Sequence, residues 1–190
     1  MRDDLARIAT LVLRGRIRLA CATVLGLAAM AWASFVTPLP RLTYNRTNSV
    51  AVGWYRVDRL EHPAQLLQTA LPVGSIVLVR MPAAAAVLAG QRGYLPTRVP
   101  LLKPVAARWP QQVCMDGPAV RIDGAVVATV LDADRAGRPL QAWRQCRRLR
   151  PGELFLLGAA NPASFDSRYF GPVDVSAVIG VAHPLWLQAQ

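Results

Sequence analysis

Lysine is nearly missing from this 190-residue chain: of its 22 Lys plus Arg residues, 21 are arginine and one, Lys103, is lysine. Histidine occurs twice, with no HExxH pattern and no nucleophile elbow near either copy. That excludes a zincin-type metalloprotease and leaves no histidine-based triad. His62 and His183 each precede a proline and read as loop or surface residues. The three cysteines form no CxxC pair and have no histidine at metal-ligand spacing, so no metal centre is expected. Acidic residues are also scarce, 11 against 22 basic. Such a balance suits nucleic acid, anionic lipid or an acidic partner without choosing among them. Internal repeats and disordered low-complexity tracts are absent, and the length fits one compact domain with one accessory element.

What the chain does have begins with Leu19 to Val36, a run without a charge that would make about 27 Å of helix, just enough to span a bilayer. Residues 1–18 carry five arginines against two aspartates, so the positive-inside rule puts this basic segment in the cytoplasm and the residues beyond Val36 outside. The run is an uncleaved anchor or a cleaved export signal, because Ala31-Trp32-Ala33 has the small-x-small form of a cleavage site. A helix of a soluble core is the third reading, and the arginine cluster at one end argues against it. Thr37-Pro38-Leu39-Pro40 cannot continue a helix and opens a stalk over 37–43. A domain over 44–190 then lies in the periplasm, with the anchor in the inner membrane. Cys114 and Cys146 both fall in the exported part. They suggest one disulfide, which an oxidising compartment would preserve; two unpaired buried thiols are the alternative.

The domain reads as mainly β. Short β-type runs separated by turn residues occur at Val50–Val57, Ile76–Arg80, Leu101–Ala106, Val120–Ile122, Val126–Val130, Leu154–Leu157 and Val175–Val181. Asp123-Gly124 between two of them predicts a tight hairpin. Helical patterning is confined to His62–Ala70 and Ala83–Ala89, the latter a short buried helix or a segment that touches lipid. Cys146-Arg147-Arg148-Leu149-Arg150 is the densest basic run. No aromatic platform accompanies it in the sequence, so it reads as a solvated face or one lying on anionic lipid, and no nucleic-acid partner is expected. Trp54, Trp109, Trp143 and Trp186 are core residues or interfacial anchors.

The single lysine is the strongest chemical signal. Arginine cannot be deprotonated in a protein, whereas a buried lysine can. A position that needs a neutral amine must therefore stay lysine. Lys103 sits in an apolar frame, Val99 to Ala107, where desolvation would disfavour its charged form. The plainer reading is compositional: an arginine-rich chain has few lysines, and one survivor need have no role.

Further boxes remove that ambiguity. Tyr44-Asn45-Arg46-Thr47-Asn48-Ser49-Val50-Ala51-Val52-Gly53-Trp54-Tyr55 resembles the nucleophile box of the signal peptidase I (Ser/Lys) family, and more closely that of the TraF-type peptidases of conjugative transfer systems. Ala51 stands where that pattern has proline. Gly74 to Val79 resembles the next family strand, and Leu101 to Ala107 the box carrying the general-base lysine, with Pro104 and Gln111 departing from the usual Arg and Gly. Ser164-Phe165-Asp166-Ser167-Arg168-Tyr169-Phe170-Gly171 matches the last box almost fully.

The resemblance implies a signal peptidase I-like antiparallel β domain behind one transmembrane helix, and a serine endopeptidase that needs no cofactor. It implies Ser49 as nucleophile and Lys103 as general base, an oxyanion hole from the Ser49 backbone N–H and the Thr47 hydroxyl, and support from Ser164, Asp166 and Arg168. A neutral lysine can activate a serine without histidine. The implied partners are membrane lipid and an exported precursor, either a conjugative propilin, whose ends such enzymes can also join, or a signal-bearing preprotein. A general signal peptidase and a non-catalytic component of the transfer apparatus are the alternatives.

Overall fold

The hydrophobic run, as far as Phe35, lies within a single long helix. In the computed structural model, which describes residues 2–35, 41–60 and 71–188, α1 (Arg2–Phe35) is uninterrupted. Leu13–Trp32 is long and apolar enough, by length and composition, to cross a membrane. Cys21 lies on this helix as a free thiol. The chain divides into two compact units, 1–39 and 40–190. The proline stalk at 37–40 and the expected helix His62–Ala70 lie outside the described residues.

The second unit is built from antiparallel strands, as expected. The larger sheet contains β1 (Arg41–Asn45), β2 (Gly53–Arg59), β3 (Ile76–Val79), β4 (Leu101–Arg108), β9 (Glu153–Leu156), β10 (Val173–Asp174) and β11 (Val178–Leu187), in the order β1-β2-β11-β3-β4-β9-β10. The smaller sheet contains β5 (Gln112–Asp116), β6 (Ala119–Ile122), β7 (Ala125–Thr129) and β8 (Cys146–Arg148), ordered β7-β6-β5-β8. Among the described residues two helices accompany them, α2 (Ala83–Gln91) and the single turn α3 (Ser167–Phe170). β1 takes in residues 41–43, so the domain begins inside the segment expected to be stalk. Its pairing with β2 sets Thr43 against Tyr55 and Asn45 against Gly53.

Alternation explains which faces are buried. In β2, Gly53, Tyr55 and Val57 point inward while Trp54 and Arg56 stay exposed, the period of two that a half-buried strand requires. Tyr55, Val57, Leu78, Leu102 and Ala182 form one cluster, whereas Val77, Val79, Val105, Leu154 and Leu156 form another. Phe155, Ala107 and Leu157 turn to the small sheet, where they meet Val113, Val120 and Leu149. Gly53, at φ 149°, lets β11 close over β2, because a Cβ there would meet the Trp186 carbonyl oxygen at 2.2 Å. The Asp123-Gly124 hairpin forms as expected, both residues having positive φ (47° and 85°), the signature of a type I′ turn. Val175–Ala177 is a 3-10 turn rather than the start of a strand. Its cause is local: the Asp174 carboxylate accepts from Ser176 N–H at 2.8 Å and caps the turn.

β4 changes partners part-way along. Residues 101–104 pair with β3 and residues 105–108 with β9. Pro104 stands at the handover, opposite Ile76, and its carbonyl accepts from Leu157 N–H at 3.1 Å. A proline there removes no donor from the β4–β9 ladder, which starts one residue later. Gln111, where the family pattern has glycine, is not at positive φ, so that turn makes no demand for glycine.

Cys114 and Cys146 are direct cross-strand partners on β5 and β8 and are joined as a disulfide. The bond closes a 32-residue loop holding β6 and β7. Replacing both cysteines by serine should lower stability by about 3 to 4 kcal/mol, read as a shift in the urea midpoint; an unchanged midpoint would show that the small sheet holds without the bond.

Candidate active site

The loop after β1 is folded by one side chain. Asn45, buried at the end of β1, donates through Nδ2 to the carbonyls of Thr47 (2.6 Å), Val50 (2.9 Å) and Ala51 (3.0 Å). Its Oδ1 accepts from Thr47 N–H at 3.2 Å and the Thr47 hydroxyl at 3.0 Å. Asparagine suits this position because its amide carries both donors and acceptors. Tyr55 Oη, on β2, donates to the Ala51 carbonyl at 2.7 Å and closes the loop from the other side. Ser49 is thereby held buried between the two anchors.

The β3–β4 register then sets Lys103 opposite Val77, at a buried position in the same period-two series as Val105 and Ala107. Only 4% of its surface is exposed. Its Nζ lies 2.6 Å from Ser49 Oγ and 2.5 Å from Ser164 Oγ, and the two hydroxyls are 3.1 Å apart. Three residues from separate boxes thus form one polar cluster in an apolar setting. Burial pulls the Lys103 pKa down from 10.5 to about 8; the nearby Asp166 charge opposes this and Arg168 assists it. The ammonium form is disfavoured by about 3 kcal/mol relative to water. Roughly a tenth of molecules would hold a neutral amine at pH 7, and most above pH 8.

Ser164 is positioned from behind. Phe165, next to it, packs into an aromatic cluster with Tyr94 (5.3 Å), Tyr169 (5.7 Å) and Phe170 (5.7 Å). Asp166 and Arg168 are wholly buried and make a bidentate pair, Nε to Oδ1 at 2.8 Å and Nη2 to Oδ2 at 2.9 Å. Asp166 also accepts from Gly158 N–H at 2.9 Å and Arg168 N–H at 3.2 Å, the latter capping α3. The remaining guanidinium hydrogens reach the carbonyls of Thr129, Asn161, Pro162 and Ser164. Arg168 therefore ties the end of β7 to the loop that carries Ser164. Neither Asp166 nor Arg168 bonds to Ser49 or Lys103, so both act on the cluster through charge and through that loop.

Of the two expected oxyanion donors, the Ser49 backbone N–H has no hydrogen-bond partner among the described residues. The Thr47 hydroxyl is engaged by Asn45 and would have to give up that bond to turn elsewhere. Ser49, Lys103 and Ser164 line a cleft of about 700 Å³, whose walls include Leu101, Leu95 and Val99. Such a groove can take an extended peptide with a carbonyl at Ser49. His183 stands apart, on β11 with its Nε2 3.4 Å from Asp58 Oδ2, and His62 is outside the described residues.

Gly158 belongs to none of the motifs, yet it governs the packing of the two serines. A Cβ there would meet Ser164 Oγ at 2.7 Å, Ser49 Cβ at 3.1 Å and Ser164 Cβ at 3.2 Å. Its signal is a glycine just past the Leu154–Leu157 run, where strand glycines mark close approach. Ser167 has a structural part too: its Oγ accepts from Leu156 N–H at 3.0 Å and fastens α3 to β9.

Residues 14–187 match the family described as signal peptidase, peptidase S26. The chain belongs to that family. All the boxes around the cluster fall within the matched span of this peptidase family. Similar proteins include the plasmid transfer protein TraF of Escherichia coli, 30% identical over 148 residues, covering 74% of this chain and 80% of the relative. The conjugal transfer protein TraF of Agrobacterium fabrum is 35% identical over 151 residues, covering 75% and 80%. A probable conjugal transfer protein TraF of Sinorhizobium fredii is 30% identical over 172 residues, covering 84% and 86%. Family and helix together point to a membrane-associated peptidase.

Gly158→Ala should push the two serines apart and slow reaction at Ser49 on the order of 100-fold, while the protein stays folded by circular dichroism. Acylation of Ser49 at the wild-type rate in that variant would show that the site has slack.

Proposed function

We propose that this chain is a membrane-anchored serine endopeptidase with a Ser49/Lys103 dyad, and that it processes an exported precursor, the propilin of a conjugative pilus. One observation carries the reading: the amine of a lysine that is only 4% exposed lies 2.6 Å from a buried serine hydroxyl. Neutral Lys103 takes the Ser49 proton as Oγ attacks the scissile carbonyl, and the Ser49 N–H receives the developing oxyanion. Collapse returns that proton to the leaving amine and leaves an ester on Ser49. Water then releases the trimmed precursor, or the precursor's own amine attacks the ester and closes a ring. Ser164, 2.5 Å from Nζ, holds the amine in line. The propilin assignment draws on the conjugal transfer names of the relatives.

The anchoring reading draws on α1 and on the rim of the β-domain. Tyr44, Trp54, Leu185 and Trp186 are all exposed along β1, β2 and β11, and Tyr44 and Trp54 pack at 5.2 Å. Aromatic residues of this kind favour the membrane–water interface. With the N-terminus cytoplasmic and an inner-membrane helix, the β-domain lies in the periplasm. In the densest basic run Arg147 is held bidentately by Glu153 (2.6 and 2.9 Å) and lies over Trp143. A purely scaffolding role is disfavoured because it has no use for a buried amine that costs stability.

The amine sets the pH dependence. Acylation of Ser49 by a penem-type inhibitor should rise about tenfold per pH unit below 8 and level off above it; a plateau already reached at pH 6 would assign the proton to another group. Ser49→Ala and Lys103→Arg should both abolish precursor processing, since arginine cannot give up its proton. Lys103→Met should be inactive yet more stable at pH 7. The folded-state pKa is depressed, so the burial penalty is complete below about pH 8 and fades toward 10.5. A thermal midpoint lower than wild type at pH 7 would contradict that penalty.

A further inference from the structure

The charged residues lining the cleft, apart from Lys103, are Arg46, Asp134, Arg135 and Arg138. Among the described residues of that lining, Asp134 is the lone carboxylate, and it is fully committed. It accepts from the Tyr94 hydroxyl, from Arg138 Nε at 2.7 Å, and from the backbone N–H groups of Ala136 (2.9 Å) and Arg138 (3.0 Å). The Tyr94 hydroxyl first, then these N–H groups, hold its carboxyl far below the usual carboxylate range. It is therefore ionised at working pH, with Arg138 as its counter-ion and Arg92 at 3.7 Å.

These bonds also fix the loop. Asp134 N–H donates to the Arg138 carbonyl and Gly137 N–H to the Asp134 carbonyl, both at 2.9 Å, closing a turn. Arg138 Nη2 donates to the Arg92 carbonyl at 3.0 Å, and Arg92 Nη2 to the Pro139 carbonyl at 2.8 Å. The turn is thus pinned to Arg92, the residue that caps the C-terminus of α2. Arg135 lies in this pinned turn, exposed, and makes no hydrogen bond or ion pair among the described residues. Arg46, in the loop that carries Ser49, is exposed and equally without a partner among the described residues. The cleft therefore has two guanidiniums to spare and, among the described residues, no carboxylate left to answer them.

We infer that Arg46 and Arg135 form an acid-selecting subsite, preferring precursors with an aspartate or glutamate near the bond that Ser49 attacks. This rests on the peptidase reading above and adds a substrate class to it. A guanidinium matches a carboxylate with two parallel N–H···O bonds, which a neutral amide of the same shape cannot match in charge. A cleft of one sign also concentrates substrates of the other, more strongly at low salt.

The test uses the full-length chain in detergent micelles and internally quenched peptides in which a single glutamate or glutamine is walked through every position. Cleavage points are read by mass spectrometry, and penem acylation of Ser49 is measured on the same preparation. At one position glutamate should exceed glutamine by about tenfold in kcat/KM, carried mainly by KM and shrinking as salt rises. The Arg46→Gln, Arg135→Gln double variant should bring that ratio close to one, and Arg135→Glu should shift the preference toward a lysine-bearing peptide. Equal cleavage of glutamate and glutamine peptides at all positions, or a ratio that survives the double variant, overturns the subsite while leaving the peptidase reading intact. A preparation that neither acylates at Ser49 nor cleaves any peptide overturns both.

Discussion

Burying one amine between two hydroxyls is the demand to which the rest of this domain answers. An ammonium in an apolar setting is costly, and the cost is what makes its neutral form accessible near physiological pH. A neutral amine matches the partners provided: it can donate to one serine and accept from the other. Val77 across the β3–β4 ladder and the buried positions along β4 supply the dryness. The same strand changes partners after Pro104, one residue past Lys103, so the lysine sits close to where the two halves of the large sheet meet.

A buried ion pair stands close by without recharging the amine. Asp166 alone would draw a proton onto Lys103, and Arg168 alone would repel one; the two pull in opposite directions there, and burial outweighs both. What the pair contributes is position. Arg168 reaches four backbone carbonyls besides the carboxylate, so the loop carrying Ser164 and the edge of the small sheet share one anchor. Breaking one partner of such a pair strands a buried charge, a far larger loss than a surface bridge would give.

Much of this was legible in the sequence because the chemistry forces residue type. Under the proposed dyad, a position needing a deprotonable cation shows as the single lysine among arginines, and Ser49 and Ser164 lie in boxes whose spacing is characteristic. The fold brings those three within hydrogen-bond distance. Strands were legible where apolar runs stand between turn residues, as at Ile76–Arg80 and Leu101–Ala106. They were not at β5 and β8, Gln-Val-Cys-Met-Asp and Cys-Arg-Arg, whose mixed character is explained by half-exposed pairing and a disulfide. Gly158 escaped because its contribution is the absence of an atom. No pattern in the primary structure separates Arg138, tied to Asp134, from Arg135 three residues before it. That distinction arises only when residues 92–94 and 134–139 come together.

A lone lysine that is also sequestered has a spectroscopic consequence. Protein grown on ε-carbon-13 lysine carries the label at one place, so its heteronuclear spectrum holds one such resonance from the whole molecule. That line moves as the buried nitrogen gains or loses a proton and as an inhibitor occupies the neighbouring oxygen. The molecule thus contains its own indicator, readable without mutation, dye or substrate.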